Sequence, residues 1–505
     1  MLSLSQIIET TNHSTFKLDM SGVVGLFGGP NAVDALETIH LYRGRRWAGW
    51  YNYPGVVDVA KTFGQMAESR LWDSVFPGPN ESPAKTFNLA GKSGPDYNGA
   101  YSGTKLSTGY LGYLITEKCT DSASNPLELI KKDGKGARKT GSSAAVTIIS
   151  LPQKQHARVV RSQTVTDVSA AKGKEQNIPI KPKSDPLALW AIVPSLVSIV
   201  AYVFCCVAHD LLCASLILLG ILSSAFSSFV LGSATLWIRV PVPSLSSPPG
   251  DGLMFPADGN IIILQGTEAD VNIITKGEFE LDFPTWLKSK GRYHMVGVSS
   301  LFLMAQFLVQ LLLIPRCSFF GQIMFLLSFV ASGAYHLYVV SREREKVQQD
   351  ILSDELDVGM EKWLLGTRTQ MAVFVCLVLG DGHADPLKSN PDAVLNRIIP
   401  NETAVWRYWR KKVAKELERF WGWDADLLHL YVPSVQVEPE DQTDKHDYSH
   451  FTEQDTRLLN DLIDDAWCVF YGYPKWRDAK SADGRVRGDS EDSQKSWLLR
   501  GGSPA

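Results

Sequence analysis

The sequence predicts an α-helical multi-pass membrane protein, with four transmembrane helices arranged as two hairpins and mixed α+β cytosolic regions. Two apolar blocks in the 505-residue chain carry this prediction, one from Leu187 to Ile238 and the other from Met295 to Val340. A helix that crosses a bilayer needs about 20 apolar residues, so each block is long enough for two spans and a tight turn. The alternative, four buried helices of a soluble protein, is disfavoured because the spans contain no Lys, Arg, Asp or Glu.

Short polar turns set the expected limits of the four spans. His209 and Asp210 interrupt the first block, and Pro315 and Arg316 interrupt the second. Pro194 is expected to kink the first span, because proline lacks the backbone donor of a regular helix. The expected spans are residues 187–208, residues 211–231 with an extension to 238 left open, residues 295–314 and residues 318–340.

Positive charges at the ends of the blocks predict the orientation. Lys and Arg resist translocation and therefore accumulate on the cytosolic side of a membrane. Eleven of them flank the two blocks, whereas the short turns contain only Arg316. Both termini and the middle loop are therefore expected in the cytosol, and the plasma membrane and the endoplasmic reticulum are not distinguished. The eleven are Lys172, Lys174, Lys181, Lys183, Arg239, Lys288, Lys290, Arg292, Arg342, Arg344 and Lys346.

Composition and motifs argue against several classes of protein. The net charge of -4 disfavours a nucleic-acid binder, and seven cysteines without a CxxC pair disfavour a disulfide framework or a zinc ribbon. Gly91-Lys92-Ser93 is not a phosphate-binding loop, because Thr86 occupies the position of the required upstream glycine. The chain contains no nucleophile elbow, glycine-rich dinucleotide turn or HExxH motif. We therefore expect no catalytic residue, cofactor or metal site.

Small residues in the second span predict close helix packing. Gly220, Ser224, Ser228 and Gly232 recur at every fourth position and so form one stripe on a helix. Such a stripe lets another backbone approach closely. The expected partner is the first span of the same hairpin, and a second copy of the chain is the alternative.

Polar residues in the third and fourth spans are expected to face each other inside the bundle. Amides in hydrocarbon need hydrogen-bond partners, and interhelical contact is favoured here over a polar pathway for a solute. No carboxylate or fixed cation lies inside a span, which disfavours a proton relay or a coupled transporter. These intramembrane polar residues are Gln306, Gln310, Gln322, Ser332 and His336.

Composition divides the chain into seven regions. A basic segment from Lys131 to Lys183 contains twelve Lys and Arg against three acidic residues. This segment either binds anionic lipid headgroups or serves as a solvated linker. The regions are residues 1–130 (N-terminal), 131–186 (basic juxtamembrane), 187–238 (first hairpin), 239–294 (β-rich loop), 295–340 (second hairpin), 341–478 (mainly helical) and 479–505 (disordered tail).

The loop between the hairpins is expected to form three strands, at residues 261–264, 271–275 and 278–283. Lys276-Gly277 fits a two-residue hairpin turn between the last two. Because three short strands bury little on their own, they are expected to pack on strands of the N-terminal region, such as residues 146–151. In that region, residues 32–42 and 57–73 are expected to be helical, and residues 91–112 are expected to form a loop.

The C-terminal region is expected to be mainly helical. Residues 342–352 are expected to extend the fourth span, and residues 371–379 are too few to cross a membrane, so they predict a buried helix or strand. Asn401 is a candidate cap for the next helix, residues 403–421. That helix is basic, amphipathic and rich in Trp, and it either lies on the membrane surface or packs in a core with a solvated back.

One run in this region carries a resemblance. Residues 397–406, RIIPNETAVW, with Trp409 following, resemble a segment of uncharacterised fungal multi-pass membrane proteins. The order of apolar blocks and the strand-rich loop are similar as well. The resemblance implies the same membrane architecture, and it implies no activity for any particular residue.

The expected function is that of a membrane-anchored cytosolic scaffold or adaptor without enzymatic activity. About four-fifths of the chain is expected on one side of the membrane, which suits a protein that presents binding surfaces. The alternatives are a membrane-shaping hairpin protein and an oligomeric channel or transporter that uses the Gln306 and Gln310 face. The expected partners are the lipid bilayer, anionic headgroups and a second copy of the chain, and nucleic acid is not expected.

Overall fold

The computed structural model describes residues 30–53, 56–79, 81–127, 129, 144–151, 175–244, 246–287, 293–381, 391–423, 428, 431–433 and 451–499, with side chains up to Lys480. Most of the basic segment between Lys131 and Lys183 lies outside these residues, and so does most of the N-terminal 30 residues. The lipid-binding hypothesis for the basic segment therefore stays a prediction.

Sixteen α-helices and ten strands make up the described part of the chain. The helices are α1 Pro30–Glu37, α2 Val56–Gly64, α3 Arg70–Val75, α4 Pro83–Thr86, α5 Tyr110–Asp121, α6 Leu187–Trp190, α7 Ile192–Val207, α8 Leu211–Leu231, α9 Glu268–Lys276, α10 His294–Leu313, α11 Phe319–Val340, α12 Arg344–Leu356, α13 Arg368–Gly380, α14 Pro391–Ile398, α15 Ala404–Trp421 and α16 Glu453–Leu499. The strands are β1 Asp96–Gly99, β2 Lys105–Ser107, β3 Ser124–Pro126, β4 Ala144–Ser150, β5 Glu175–Pro179, β6 Thr235–Pro241, β7 Gly252–Phe255, β8 Ile261–Gln265, β9 Glu278–Asp282 and β10 Gly359–Leu365.

Four helices are long and apolar enough to cross a membrane, as the sequence predicts. The first comprises α6 and α7 and covers Leu187–Val207; the others are Leu211–Leu231, His294–Arg316 and Phe319–Val340. We call them the first to fourth apolar helices. The first is interrupted at Ala191, where Pro194 has no N–H to donate to the carbonyl one turn earlier. The helix is therefore interrupted three residues before Pro194, and the expected kink itself stays a prediction.

The extension of the second span to Ile238 is wrong. The second apolar helix ends at Leu231 with Gly232 as its C-cap, and β6 begins at Thr235. Side chains along β6 alternate between buried and more exposed positions, which is the period of a strand rather than a helix. Apolar content alone does not distinguish a transmembrane helix from a strand at these residues.

A seven-stranded sheet of order β2-β1-β7-β8-β4-β10-β3 forms the centre of an α/β domain. Strand β4 pairs in parallel with β8, and β1 pairs antiparallel with β7. The expectation that strands of the loop between the hairpins pack on N-terminal strands is therefore confirmed for residues 261–264, whereas β9 pairs with β6. Strand β10, from the C-terminal region expected to be mainly helical, joins the same sheet beside β4. The sheet thus unites three segments separated by the two apolar hairpins.

Helices cover both faces of this sheet. On one face, Val146 and Ile148 of β4 pack against α13, α15 and α16. Helix α13 is almost completely buried, so the expectation of a buried segment at residues 371–379 is confirmed. On the other face, Ile149 belongs to a hydrophobic core that includes α5, α9 and the three-stranded sheet β5-β6-β9.

The expected strand at residues 271–275 is wrong, because these residues belong to helix α9. Thr267 caps this helix by accepting a hydrogen bond from the backbone N–H of Asp270. Glu268 and Asp270 place negative charge in its first turn, where the helix dipole favours it. Gly277 follows the helix as its C-cap and does not form a hairpin turn. A short apolar run fits a strand and a helix equally well.

Several other boundaries differ from expectation. Residues 91–112 contain the β1–β2 hairpin and the start of α5 instead of a loop, and residues 57–73 contain two helices. Helix α12 does not continue the fourth apolar helix, because Ser341 caps that helix and α12 begins at Arg344. The N-cap of α15 is Thr403 and not Asn401. Helix α16 continues to Leu499 through residues expected to be disordered, in a stretch without proline after Pro474.

The apolar helices and the α/β domain share one hydrophobic core. Val230, Val296 and Tyr335, near the domain end of their helices, belong to the same cluster as Ile149 and Leu264 of the large sheet. The opposite end of the bundle, with the turns at Asp210 and Pro315, is called the far end below. Continuous packing of this kind makes the bundle and the domain one folded unit.

Candidate functional site: a polar network in the helix bundle

The four apolar helices have an inverted distribution of polarity. The side chains at their centre include buried amides, hydroxyls and one imidazole, whereas large apolar side chains face outward. In a water-soluble bundle the apolar side chains face inward. The buried polar residues are Ser198, Ser223, Ser224, Ser227, Ser228, Ser299, Ser300, Gln306, Gln310, Gln322, Ser328, Ser332 and His336. The apolar residues of these helices that are more than half exposed are Leu189, Trp190, Ile192, Val193, Leu196, Val207, Leu211, Leu308, Leu312, Leu327 and Leu337.

A short segment from the N-terminal region, residues 44–53, enters the bundle between these helices. Gly44 has a φ of 82°, the left-handed conformation that glycine adopts without strain, and a 3-10 turn Arg45–Trp47 follows. Tyr51, Asn52 and Tyr53 then lie buried among the apolar helices. We call residues 44–53 the inserted segment. It is neither a regular helix nor a strand, and it therefore depends on the surrounding helices for its hydrogen bonds.

Asn52 lies at the centre of the network with none of its surface exposed. Its backbone N–H donates to Ser198 Oγ at 3.0 Å, and its Nδ2 donates to Ser328 Oγ at 3.0 Å. Its Oδ1 accepts from Gln310 Nε2 at 3.4 Å. One asparagine thereby contacts the first, third and fourth apolar helices. Its side-chain amide therefore has hydrogen-bond partners although it is fully buried.

Gln310 extends the network to the second apolar helix. Its Nε2 also donates to the carbonyl oxygen of Leu216 at 3.1 Å, and its Oε1 accepts from Gln306 Nε2 at 3.1 Å. The Oε1 of Gln306 is buried and has no partner among the described residues. The two glutamines, one turn apart in the sequence, therefore do contact each other inside the bundle. Their partners are Asn52 and a backbone carbonyl rather than the fourth helix.

The network lies near the middle of the bundle along its length. Ser198, Gly220 and Ser328, which surround Asn52, are each between 9 and 12 residues from both ends of their apolar helices. At 1.5 Å per residue this corresponds to about 14–18 Å from either end. If the helices span a bilayer, Asn52 lies close to its midplane.

Small side chains of the second apolar helix make room for the inserted segment. A Cβ added to Gly220 would lie 1.9 Å from Asn52 Oδ1, and one added to Gly232 would lie 2.5 Å from Arg46 Cβ. Gly49 of the inserted segment in turn lies against the second apolar helix, because a Cβ at position 49 would lie 2.3 Å from Ser228 Oγ. The predicted stripe therefore packs against the inserted segment, whereas the first span was the expected partner.

His336 marks a second part of the same site, on the fourth apolar helix. Its Nε2 lies 3.0 Å from the hydroxyl of Tyr51, and the ring centroids of His336 and Tyr53 are 4.5 Å apart. The hydroxyl of Tyr53 donates to the carbonyl oxygen of Ala32 at 2.8 Å. The inserted segment is thus held by the aromatic contacts of Tyr51 and Tyr53 and by the hydrogen bonds of Asn52 between them.

The remaining predicted residues lie apart from Asn52. The Oγ of Ser332 donates to the carbonyl of Ser328 at 2.8 Å, within its own helix. Gln322 is near the far end, where its Nε2 donates to the carbonyl of Cys317 at 3.1 Å. Ser224 and Ser228 line a narrow gap beside Tyr53, and the Oγ of Ser224 has no partner among the described residues.

A buried cation and a buried imidazole lie where the inserted segment enters the bundle. Arg45 donates to Thr38 Oγ1 at 2.6 Å and to the carbonyl of Ala35. His40 packs edge to face on Phe87, with ring centroids 5.3 Å apart, and neither ring nitrogen has a partner among the described residues. Burial, helped by the charge of Arg45, lowers the pKa of His40 to about 3. This histidine is therefore neutral in the folded protein.

Sequence reasoning missed Tyr51, Asn52 and Tyr53. The available signal was the run RRWAGWYNYPG at residues 45–55, in which aromatic and small residues follow two arginines. Trp47 and Trp50 of this run are 56% and 49% exposed. Tryptophan next to arginine is typical of a membrane interface, which places the run beside the apolar helices but does not reveal that Asn52 lies between them.

The chain was also compared with known proteins. No protein-family model, no curated protein and no solved structure matches it. The function is therefore inferred from geometry alone. The amides and hydroxyls around Asn52 hold the inserted segment in place. At the far end, one carboxylate oxygen of Asp210 and the sulfurs of Cys213 and Cys317 lie within 4.8 Å of one another.

Proposed function

We propose that the protein is an integral membrane protein, and that it acts as a membrane-anchored scaffold or adaptor that presents its α/β domain at the cytosolic face. The inverted polarity of the four-helix bundle carries the first part of this proposal. Burying amides while exposing leucine costs free energy in water, whereas a hydrocarbon surround favours the same arrangement.

Exposed tryptophans support insertion at a definite depth. Trp190, at the start of the first apolar helix, is 54% exposed. Trp286, in the 3-10 turn Thr285–Leu287, is 45% exposed and stacks on Phe229 of the second apolar helix, with ring centroids 5.8 Å apart. Trp47 contacts Phe229 at the domain end of the second, with ring centroids 4.9 Å apart. Indole rings prefer the headgroup layer, so a belt of this kind is expected where the bilayer meets the domain.

The composition of the large sheet supports placing both termini and the middle loop on one side. Strands β1 to β4 precede the first hairpin, β7 and β8 lie between the hairpins, and β10 follows the second. Pairing in one sheet requires that an even number of spans separates these segments. Since Lys and Arg cluster on the same side, that side is the cytosol under the positive-inside rule.

Rigid attachment supports the scaffold function. The domain shares its core with the bundle, so its surface is held at a fixed height and orientation above the membrane. The alternatives receive less support. Gln306 and Gln310 are 1% and 2% exposed and point into the bundle, which does not favour a channel formed by contacts between copies at that face. The helices are of full spanning length, which does not favour a wedge that curves the membrane.

Labelling of introduced cysteines tests the topology. The native Cys317 and Cys468 are 7% and 2% exposed, so a thiol reagent would not report on them reliably. Arg316→Cys in a far-end turn and Asp354→Cys in α12 place thiols at exposed positions. Permeabilising the plasma membrane alone should permit labelling of Asp354→Cys by a membrane-impermeant maleimide. Arg316→Cys should react either in intact cells or only after all membranes are dissolved.

The topology would be contradicted if both positions first became reactive under the same condition, or if Asp354→Cys reacted in intact cells or only after all membranes were dissolved. Release of the protein from membranes by alkaline carbonate would contradict membrane insertion itself.

The scaffold function is tested by in-membrane crosslinking of the full chain, with an unrelated four-span protein as control. A reproducible cytosolic partner is expected. Solute flux in proteoliposomes without such a partner would instead support the channel alternative.

A further inference from the structure

We propose that the far end of the bundle binds one thiophilic metal ion, Zn²⁺ or Cu⁺, through the thiolates of Cys213 and Cys317, the carboxylate of Asp210 and the thiol of Cys205. This site is separate from the network around Asn52 and from the scaffold function. No spacing motif indicates it, because its residues come from both hairpins.

The ligand atoms already lie close together. One carboxylate oxygen of Asp210 and the sulfurs of Cys213 and Cys317 all lie within 4.8 Å of one another. Cys205 belongs to the same buried cluster as Cys213 and Cys317. Ligand atoms around a tetrahedral zinc ion, with zinc–sulfur bonds of about 2.3 Å, are roughly 3.8 Å apart. Shifts of about 1 Å would bring these three ligand atoms to that spacing. Cys205, which lies outside the group within 4.8 Å, would have to move closer to serve as the fourth ligand.

A close approach of two helices brings the ligands together. A Cβ added to Gly321, in the first turn of the fourth apolar helix, would lie 2.3 Å from Asp210 Oδ2 and 2.9 Å from Cys213 Cβ. The thiol of Cys213 donates to the carbonyl of Gly321 at 3.1 Å. A larger residue at 321 would separate the two hairpins at this point.

The surroundings favour the negative charge that these ligands bring. Asp210 Oδ1 accepts from the backbone N–H of Cys213 at 3.1 Å, and Oδ2 accepts from the N–H and hydroxyl of Ser318 at 2.8 and 2.6 Å. Asp210 therefore lies at the N-termini of two helices, whose dipoles favour anions. The same hydrogen bonds would hold the carboxylate in one orientation, as groups that hydrogen-bond to metal ligands do at known metal sites.

Burial and access both suit a bound ion. Cys205 and Cys213 are fully buried and Cys317 is 7% exposed, whereas Asp210 is partly exposed and opens to the far end. An ion entering past Asp210 would reach the sulfurs directly. Soft sulfur ligands select Zn²⁺ or Cu⁺ over Mg²⁺ and Ca²⁺. Each thiol that becomes a thiolate ligand releases one proton to water, and no electron is transferred.

Metal titration of the reduced, metal-free full chain in detergent tests the site. Co²⁺ serves as the spectroscopic probe for Zn²⁺, because thiolate ligands give it charge-transfer absorption, and Cu⁺ is added in competition with a chromophoric chelator. One equivalent of ion is expected, and Zn²⁺ should displace Co²⁺. Cys213→Ser and Cys317→Ser should each weaken binding by about 10–100-fold or more, by analogy with losses at known sites.

Cys376→Ser is the matched control, because Cys376 is a fully buried thiol in α13, outside the cluster. It should bind the ion as the unaltered chain does. If Cys213→Ser fails to fold, Cys205→Ser and Cys317→Ser provide the comparison. Absence of thiolate-to-metal absorption in the folded wild-type chain would overturn the proposal. A Cys213–Cys317 disulfide in metal-free protein isolated without reductant would also overturn it, in favour of a redox role.

Discussion

Gly220 and Asn52 fit together so closely that no other residue type can replace the glycine without movement. A Cβ at position 220 would lie 1.9 Å from the Oδ1 of Asn52 and 3.0 Å from the Nε2 of Gln310. The glycine on the second apolar helix thus admits an asparagine from a segment more than 150 residues earlier in the chain. This contact joins the helix bundle to the inserted segment.

Gly220→Ala is therefore expected to destabilise the bundle. The methyl group must displace Asn52 or separate the helices, and overpacking of this kind costs about 1–3 kcal/mol. The measurement is thermal unfolding of the full chain in detergent. Gly422→Ala is the matched control, because Gly422 has a φ of -77° and the new Cβ would lie 3.5 Å from the carbonyl oxygen of Arg419, an ordinary van der Waals contact. Equal melting temperatures for the two variants would contradict the close contact.

Asn52 and Ser328 are expected to be energetically coupled. The Nδ2 of Asn52 donates to the hydroxyl of Ser328 inside the bundle, and such hydrogen bonds between membrane helices contribute about 0.6 kcal/mol on average and up to about 1.7 kcal/mol. A double-mutant cycle of Asn52→Ala and Ser328→Ala, read by unfolding in detergent, should give a coupling energy in this range. Ser215→Ala, at an exposed hydroxyl bonded within its own helix, should show no coupling with Asn52→Ala.

The four apolar helices were predictable to within about two residues, because a long apolar run determines its own structure locally. The order of the strands in the large sheet could not be predicted in this way. Strand β4 pairs with β8 and β10, which lie more than 100 and more than 200 residues later. Alternation of side chains predicts a strand, but it does not select one partner over another. The local pattern is likewise insufficient at α9, because its short apolar run fits both a strand and a helix.

Only part of the polar network around Asn52 could be predicted from the sequence. Gln306 and Gln310 stand out as amides in an apolar run, and the structure does bury them together. Their partner Asn52 lies in a short polar and aromatic segment without periodicity, so nothing local distinguishes it from a surface loop. Its position depends on room left by Gly220, and such complementarity exists only in three dimensions.

Stability should depend on pH through His40. The folded state keeps this imidazole neutral down to pH about 3, whereas its ordinary pKa is 6.5. Between these values the unfolded chain binds more protons, so the free energy of unfolding falls as the pH decreases, by up to about 1.4 kcal/mol per pH unit. His40→Phe should reduce this dependence, measured as the change in melting temperature between pH 7.5 and pH 5.

His209→Asn is the control for that experiment, since His209 is exposed and has a φ of 59°, which asparagine tolerates. This variant should keep the pH dependence of the unaltered chain. An unchanged dependence in His40→Phe would show that His40 is accessible to protons in the folded state.

Arg410 should be important for the α/β domain although it lies on the basic side of α15. Its guanidinium is 5% exposed and donates to the carbonyls of Asn401 and Ile399, at 2.6 and 3.4 Å, and to Glu402. It thereby fixes the turn between α14 and α15. Arg410→Met keeps most of the side-chain volume but leaves these carbonyls unpaired, at a cost of about 1–3 kcal/mol. Thermal unfolding and limited proteolysis of the full chain would measure this loss.

Arg407, three residues earlier on the same helix, provides the comparison. Its side chain is exposed, so Arg407→Met should change stability by no more than about 0.5 kcal/mol. The apolar face of α15 packs in the domain core with Trp409 fully buried, which favours the core interpretation of this helix over a membrane-surface one. If α15 lay on a membrane instead, both arginines would contact headgroups. The two variants would then weaken liposome binding equally and leave unfolding unchanged.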